Sequence, residues 1–244
     1  MPDSPTVSII VSCWNEEKCI ENVIRSVAAA MPSAEIVIVH GGNDKTLEIA
    51  RTMQAEFPQV VPVRNENDRG KGHGIKTGVA KASGKFMAQF DADLQFFASD
   101  LPALVQPLLD GRADVVLGSR FLASSDRAAY KPSFFRDMGN RLLATYVSVL
   151  IGQKVTDVTA GTKSWTREAI QKIDFRDDVY SYEAEIVVRA GLLRQRIVEI
   201  PVSYASRSEG QSMHQSNLAV IKAGFVIIVK CFACWIRTLF TRKK

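Results

Sequence analysis

The chain has 244 residues, 46% of them hydrophobic and 23% charged, with a formal net charge of +5. That balance excludes a disordered or fibrous chain and fits one large α/β domain, or a domain with an appendage. The modest basic excess suits phosphorylated ligands or an anionic membrane surface; nucleic acid is disfavoured, because no basic stripe or aromatic–basic motif is present. Met1-Pro2-Asp3-Ser4-Pro5 lacks a basic stretch followed by an apolar run, so no signal peptide is predicted. The four cysteines, Cys13, Cys19, Cys231 and Cys234, make no disulfide framework for this length, which predicts reduced thiols and the cytosol. Cys231-x-x-Cys234 resembles half a zinc site without a second ligand pair, so packing is expected of it.

In chain order, Val7–Val11 is an apolar run that predicts a buried strand. Ser12–Glu17 leads into a helix over 17–30, with Asn15 and two glutamates at its start and Met31-Pro32-Ser33 at its end. Glu35–Val39 is a second strand, followed by the turn Gly41-Gly42-Asn43-Asp44 and a helix over 45–57. Val60–Val63 is a third strand, and Asn65–Gly74 a polar, glycine-rich loop before a helix over 75–82. Phe86–Phe90 is a fourth strand and ends at Asp91-Ala92-Asp93-Leu94-Gln95. Beyond it the pattern predicts a helix over 101–109 and a strand over 114–118 ending at Ser119-Arg120. A polar stretch over 124–131, an apolar helix over 140–151 and a polar turn over 157–163 follow. Helices over 168–173 and 183–193, a strand over 197–204 and a polar loop over 206–216 complete this part.

The alternation predicts a Rossmann-like, three-layer α/β/α fold with a mostly parallel central sheet. Ligands of such sheets bind outside the carboxyl ends of the strands. The loops 12–16, 40–44 and 91–95 all follow strands and are expected to share that edge. Asp91 and Asp93 offer oxygen ligands to a hard cation such as Mg²⁺ or Mn²⁺, which shares its sphere with substrate phosphates. Alone, an Asp-x-Asp is more often a turn with capping carboxylates. The shared edge favours a metal-assisted site for a phosphorylated substrate.

Residues 218–240 are apolar but interrupted by Lys222, Lys230 and Arg237, and the uncharged runs 223–229 and 231–236 are too short to span a bilayer. The three cations fall within about 80° of one another on a helical wheel, opposite Phe225, Ile228, Phe232 and Trp235. This predicts an amphipathic helix lying in a membrane interface, with Arg242-Lys243-Lys244 adding attraction to anionic lipid. Packing on the domain or on a membrane subunit is the alternative. The division expected is 1–216 for the main domain and 217–244 for this helix.

The order Ser12-Cys13-Trp14-Asn15-Glu16, His40-Gly41-Gly42-Asn43-Asp44, Arg69-Gly70-Lys71-Gly72, Asp91-Ala92-Asp93-Leu94-Gln95 and Gly118-Ser119-Arg120 resembles family 2 glycosyltransferases of GT-A fold. The subgroup it looks most like is the dolichol-phosphate mannosyltransferases and polyprenyl-phosphate glycosyltransferases, over roughly residues 5–215. Pro201–Tyr204 and Arg207–Ser212 are a second match. The resemblance implies that Asp91, Asp93 and Gln95 hold the divalent metal that bridges a nucleotide diphosphate. It implies a donor pocket of Ser12, Trp14, Glu16, Val39, Gly41 and Ala92, with Arg120 and Arg207 on phosphate oxygens, a task suited to the planar guanidinium. Expelling a diphosphate builds negative charge that a dication and arginines stabilise.

A hydroxyl acceptor usually needs a carboxylate base, and many family members use a Glu-Asp pair. No Glu-Asp dipeptide occurs in this chain. With the basic apolar helix, this favours an already ionised polyprenyl or dolichyl phosphate acceptor and a peripheral position on the cytoplasmic face of a membrane. Lys131, Arg136 and Lys163 are candidate contacts to the acceptor phosphate. The leading expectation is therefore an inverting transfer of hexose from a GDP-mannose or UDP-glucose type donor. The alternatives are transfer to a glycan hydroxyl with Glu183 or Glu185 as base, as in cell-surface polysaccharide synthesis, and a non-catalytic nucleotide-sugar-binding module. Three departures from the family stand out. Gly41 replaces the base-reading Asp, Ser12-Cys13-Trp14 replaces a proline-containing stretch, and Met213 replaces a lysine of the acceptor loop, which His214 or Lys71 would have to make good. Asp157, in Asp157–Gly161, keeps its place as a supporting residue.

Overall fold

The computed structural model describes residues 6–127, 130, 134–206 and 217–241. Arg207, Met213, His214 and Lys131 lie outside them. Seven strands form one sheet in the order β3-β2-β1-β4-β6-β5-β7. They are β1 Val7–Cys13, β2 Glu35–His40, β3 Val60–Arg64, β4 Phe86–Gln89, β5 Val115–Ser119, β6 Lys163–Thr166 and β7 Ile197–Pro201. The helices are α1 Ile20–Ala30, α2 Thr46–Met53, α3 Lys71–Lys81, α4 Leu101–Leu109, α5 Phe134–Ile151, α6 Arg167–Ile173, α7 Tyr182–Leu192 and α8 Asn217–Thr241.

Successive residues of a strand face opposite sides, so β1 feeds two cores. Ile9 and Val11 join the α1, α2 and α4 side, and Ile10 joins Val39, Ile75, Trp165 and Val187 on the other. All pairings are parallel except those of β6, which runs antiparallel to both β4 and β5. The sequence reading put a polar turn at 157–163 and no strand after it. Lys163-Ser164-Trp165-Thr166 carries no apolar alternation, yet its first three residues are fully buried. Two of their polar groups are satisfied: Ser164 Oγ donates to Leu104 O at 2.7 Å and the Lys163 ammonium donates to Ala160 O, while Trp165 Nε1 has no partner among the described residues. Lys163 is thus a buried residue under the sheet edge, not a surface contact for an acceptor.

Two other boundaries differ for physical reasons. Helix α1 starts at Ile20, not Glu17, because Asn15 adopts φ 54° and the Glu16 carbonyl takes both Cys19 N and Ile20 N at 2.9 Å. Helix α3 starts at Lys71, inside the stretch read as a loop. Its glycines serve close approach: a Cβ on Gly74 would collide with Ser12 Oγ, and one on Gly72 with the Asp177 carbonyl. Helix α8 packs against α7 and α5. Ala223, Ile227, Cys231, Cys234 and Thr238 are buried on it, and the thiols of Cys231 and Cys234 are free. Phe225, Ile228, Val229, Phe232 and Phe240 are exposed. Trp235, expected among the exposed residues, is instead partly buried and donates Nε1–H to Leu150 O at 2.9 Å. The run Ile221–Phe240 is long and apolar enough to cross a membrane, with a mean hydropathy of 1.8. Taken separately, the uncharged runs are too short to span; taken whole, the run passes on length and composition despite its three cations.

Candidate active site

The connection order of the sheet reverses between β1 and β4, and the parallel strands β1, β2, β3 and β4 end on one edge, where ligands of such sheets bind. The loops there are laced together. Gly41 N donates to Cys13 O at 3.1 Å, Asn43 N to Asn15 Oδ1 at 3.0 Å, and Glu16 N to Thr46 Oγ1 at 3.0 Å. Asn65 N donates to His40 O at 2.9 Å, which joins the β3 loop to the same edge. Trp14 stands out from this edge, 56% exposed. Val39 is in the core with its side chain against Gly78, so only its main chain can meet a ligand.

Asp91 lies at the end of β4 against Gly161, where any Cβ would collide with its carboxylate. Lys71 Nζ sits 2.8 Å from Asp91 Oδ1 and 2.8 Å from Glu183 Oε1. Glu183 is buried and also accepts from Tyr182 Oη at 3.3 Å. Burial raises the Asp91 carboxyl to about 6; Lys71 opposes the rise, while Asp93 and Glu183 add to it. Burial works against the Lys71 ammonium, but Asp91 and Glu183 hold it well above its ordinary range. Two carboxylates, Asp91 and Glu183, thus meet one ammonium. Asp91 and Asp93 are hard oxygen donors of the kind a dication takes with phosphate oxygens; no set of three His, Cys, Asp or Glu side chains placed to hold an ion by themselves is found among the described residues.

Leu94, at φ 58°, turns the chain so that Gln95 N reaches Asp93 Oδ1 at 3.2 Å. Gln95 Nε2 donates to Ala205 O at 3.2 Å, which leaves its Oε1 for a ligand. Ala205 N returns a bond to Gln95 O at 2.8 Å, so the carboxylate loop is tied to the segment that precedes Arg207.

Arg120, at the end of β5, donates Nε–H to Asp157 Oδ2 at 2.7 Å and Nη2–H to Oδ1 at 2.9 Å and to Thr159 Oγ1 at 3.0 Å. Its guanidinium lies 5.1 Å from the Tyr204 ring centroid. Burial would raise the Asp157 carboxyl, but Arg120 outweighs it and holds the group below the usual range. Thr159 donates in turn to Asn140 Oδ1 on α5 at 3.2 Å. Asp157 therefore orients Arg120. Among the described residues, Nη1 of Arg120 has no hydrogen-bond partner. Arg136 lies on α5, on the same helix as Asn140.

The structure thus brings Ser12, Trp14, Glu16, Gly41, Asp91, Ala92, Asp93, Gln95 and Arg120 to one edge. It adds Lys71, Glu183 and Gly161 in roles the sequence did not assign. Spacing carries no signal for them, because each comes from a different element.

Residues 8–174 match the model of Glycosyl transferase family 2. Among curated relatives, the low-salt glycan biosynthesis hexosyltransferase Agl6 of Haloferax volcanii is 29% identical over 87% of this chain and 51% of its own length. The dolichyl-phosphate hexose transferase of the same organism is 28% identical over 83% of this chain and 84% of its length. The undecaprenyl-phosphate mannosyltransferase of Micrococcus luteus is 25% identical over 84% and 86%. This chain spans about half the length of the first of these and 34% of the glycosyltransferase AglD, also of Haloferax volcanii. Among solved structures, glucosyl-3-phosphoglycerate synthase from Mycobacterium tuberculosis, crystallised with Mn²⁺, uridine diphosphate and glucosyl-3-phosphoglycerate, superposes with a TM-score of 0.69. Its identity is 18% over 96% of this chain and 80% of that one, a likeness of fold.

Proposed function

The chain belongs to glycosyl transferase family 2 and has the GT-A fold, and on that premise we propose that it moves a hexose from a nucleotide-diphosphate sugar to a polyprenyl or dolichyl phosphate. The observation that carries this reading is the Lys71 ammonium on Asp91, two residues before Asp93, at the β1/β4 crossover, with the Arg120–Asp157 pair on the β5 side. The relatives that act on dolichyl and undecaprenyl phosphates support it. Asp91, Asp93 and Gln95 Oε1 are the atoms that would hold Mg²⁺ or Mn²⁺. When bound, the ion supplies countercharge to the departing diphosphate.

The residues of the chain do the rest. Lys71 and the wall at Gly161 fix the Asp91 carboxylate, and Asp157 fixes Arg120, whose Nη1 would meet phosphate. An ionised phosphate oxygen of the acceptor attacks the anomeric carbon from the face opposite the leaving group. The bond from that carbon to the diphosphate oxygen breaks, and its electron pair stays on the diphosphate, with inversion. No proton has to move, so no base is needed. The two glutamates that a hydroxyl acceptor would require are engaged elsewhere: Glu183 by Lys71 and Tyr182, Glu185 by the main-chain N–H groups of Arg176 and Asp177 at 2.8–3.1 Å. This favours the phosphate acceptor over the hydroxyl.

The acceptor places the protein on a membrane, and the exposed aromatic and aliphatic residues of α8 are the contact surface. The helix is packed along α5 and α7 from Ala223 to Thr238. Crossing the bilayer would carry the polar domain in with it, so α8 lies in the interface, on the cytoplasmic face where nucleotide sugars are found. Folded protein incubated with labelled GDP-mannose, UDP-glucose or UDP-GlcNAc, polyprenyl phosphate and Mn²⁺ forms a lipid-linked sugar. Failure with every donor refutes the proposal.

A further inference from the structure

The donor site just proposed needs a group that reads the nucleobase; residue 41 is glycine, and Asp44 beyond it is taken up by Thr46, His40 and Glu17 N. We propose that Asp68, from the loop between β3 and α3, is that group and that it selects uracil. A Cβ added to Gly41 would lie 2.5 Å from Asp68 Oδ2 and 2.6 Å from its Cγ. The Asp68 carboxylate therefore sits where a side chain at position 41 would begin. The loop is shaped to deliver it there: Asn67 has φ 52°, and Asn65 is anchored by its N–H to His40 O and by Thr77 Oγ1 to its Oδ1 at 2.8 Å.

The two carboxylate oxygens have different surroundings. Oδ1 accepts from Asn65 Nδ2 and from Gly70 N at 3.3 Å, with His73 Nδ1 3.7 Å away. Oδ2 faces Gly41 and has no donor among the described residues. The side chain is only 11% exposed, and a carboxylate oxygen with no protein donor can accept an N–H from a ligand. The diphosphate belongs at the β1/β4 crossover, and the β5 side is filled by Arg120 and Asp157. The nucleoside must then run over β1 and β2 toward β3, past Ser12 and Gly41 to Asp68, along the edge from which the exposed Trp14 projects.

One open oxygen matches one N–H. Uracil presents a single ring N–H on its pairing edge. Guanine presents a ring N–H beside an amino group and suits a carboxylate with both oxygens open. Cytosine and adenine have no ring N–H there.

Calorimetry with Mn²⁺ on the whole chain tests this, using UDP, GDP, CDP and inorganic pyrophosphate as ligands. The wild type binds UDP tightest. Asp68→Asn, which keeps the shape and the loop bonds, weakens UDP by about ten- to hundred-fold and leaves pyrophosphate within about two-fold. Asp68→Ala combined with Gly41→Asp restores a carboxylate from the other strand and recovers UDP over Asp68→Ala alone. Equal losses for UDP and pyrophosphate, or no loss for UDP, reduce Asp68 to a turn residue and overturn the inference, as does a wild-type preference for GDP. If the wild type binds pyrophosphate but no nucleotide, Asp68 reads no base. If it binds neither, the donor site itself is refuted, and this reading falls with it.

Discussion

Asp157→Asn is the sharpest probe of how Arg120 is held. Asp157 is fully buried and accepts four hydrogen bonds: from Arg120 Nε at 2.7 Å, Nη2 at 2.9 Å and N at 3.2 Å, and from Thr159 N at 3.2 Å. Asparagine fills the same volume but turns one acceptor oxygen into a donor that faces N–H groups. Two charge-assisted bonds are lost, at about 1.5–3 kcal/mol each, or about 3–6 kcal/mol. That agrees with about 3–5 kcal/mol for removing one partner of a buried ion pair. For a chain of this size the melting temperature should fall by about 6–20 °C. Thermal and urea unfolding at pH 7 measure it. Replacing both partners, Arg120→Met with Asp157→Leu, should recover most of the stability, because no charge is left buried alone, yet abolish sugar transfer. A single-variant cost below about 1 kcal/mol refutes the buried pair. The pair also sets a pH dependence. The folded carboxyl of Asp157 is held below its ordinary value. Its contribution is present above the unfolded pKa and is lost as pH falls through the folded one.

The raised Asp91 carboxyl has the opposite sign. The folded protein holds that proton up to about pH 6 while the unfolded chain has released it, so metal-free stability falls as pH rises from about 4 to about 6. Binding of Mn²⁺ with nucleotide strengthens over the same window, and titrating both on one sample checks the pairing of signs. Gly161→Ala places a methyl into the Asp91 carboxylate and should weaken Mn²⁺-dependent nucleotide binding more than ten-fold, about 1.4 kcal/mol or more, while circular dichroism shows the fold retained. Lys71→Met removes the cation between Asp91 and Glu183 and should move the acid limb of the pH–rate profile upward, since Lys71 is what opposes the rise at Asp91. Phe225→Ser with Phe232→Ser removes two exposed rings of α8, each contributing about 1.5–3 kcal/mol if buried in lipid. Sedimentation with anionic vesicles should fall more than ten-fold, while activity on a water-soluble short-chain acceptor is kept.

Much of this architecture is legible along the chain. Strands β1 to β5 are local apolar runs bounded by polar turns, and their alternation with helices dictates a sheet whose carboxyl edge gathers the loops at 12, 41 and 91. Residues adjacent in sequence, such as Asp91 and Asp93, declare their chemistry there. β6 was hidden, because a strand between two others is buried by its neighbours and not by its own composition. The glycines of α3 were misread as a loop, since what they accommodate, Ser12 and the 177–178 backbone, lies far off in sequence. The helix at the C-terminus shows both sides at once: its composition predicts an apolar face, but packing on α5 and α7 decides which residues remain outside.

The layered fold, its carboxyl edge and the closely spaced Asp91 and Asp93 follow from local pattern. Which cation meets Asp91, what orients Arg120 and which carboxylate stands beside Gly41 follow only from packing. Those answers join residues 71 with 91 and 183, 120 with 157, and 41 with 68. Distances across a packed site are set by how elements dock, and no local pattern encodes them.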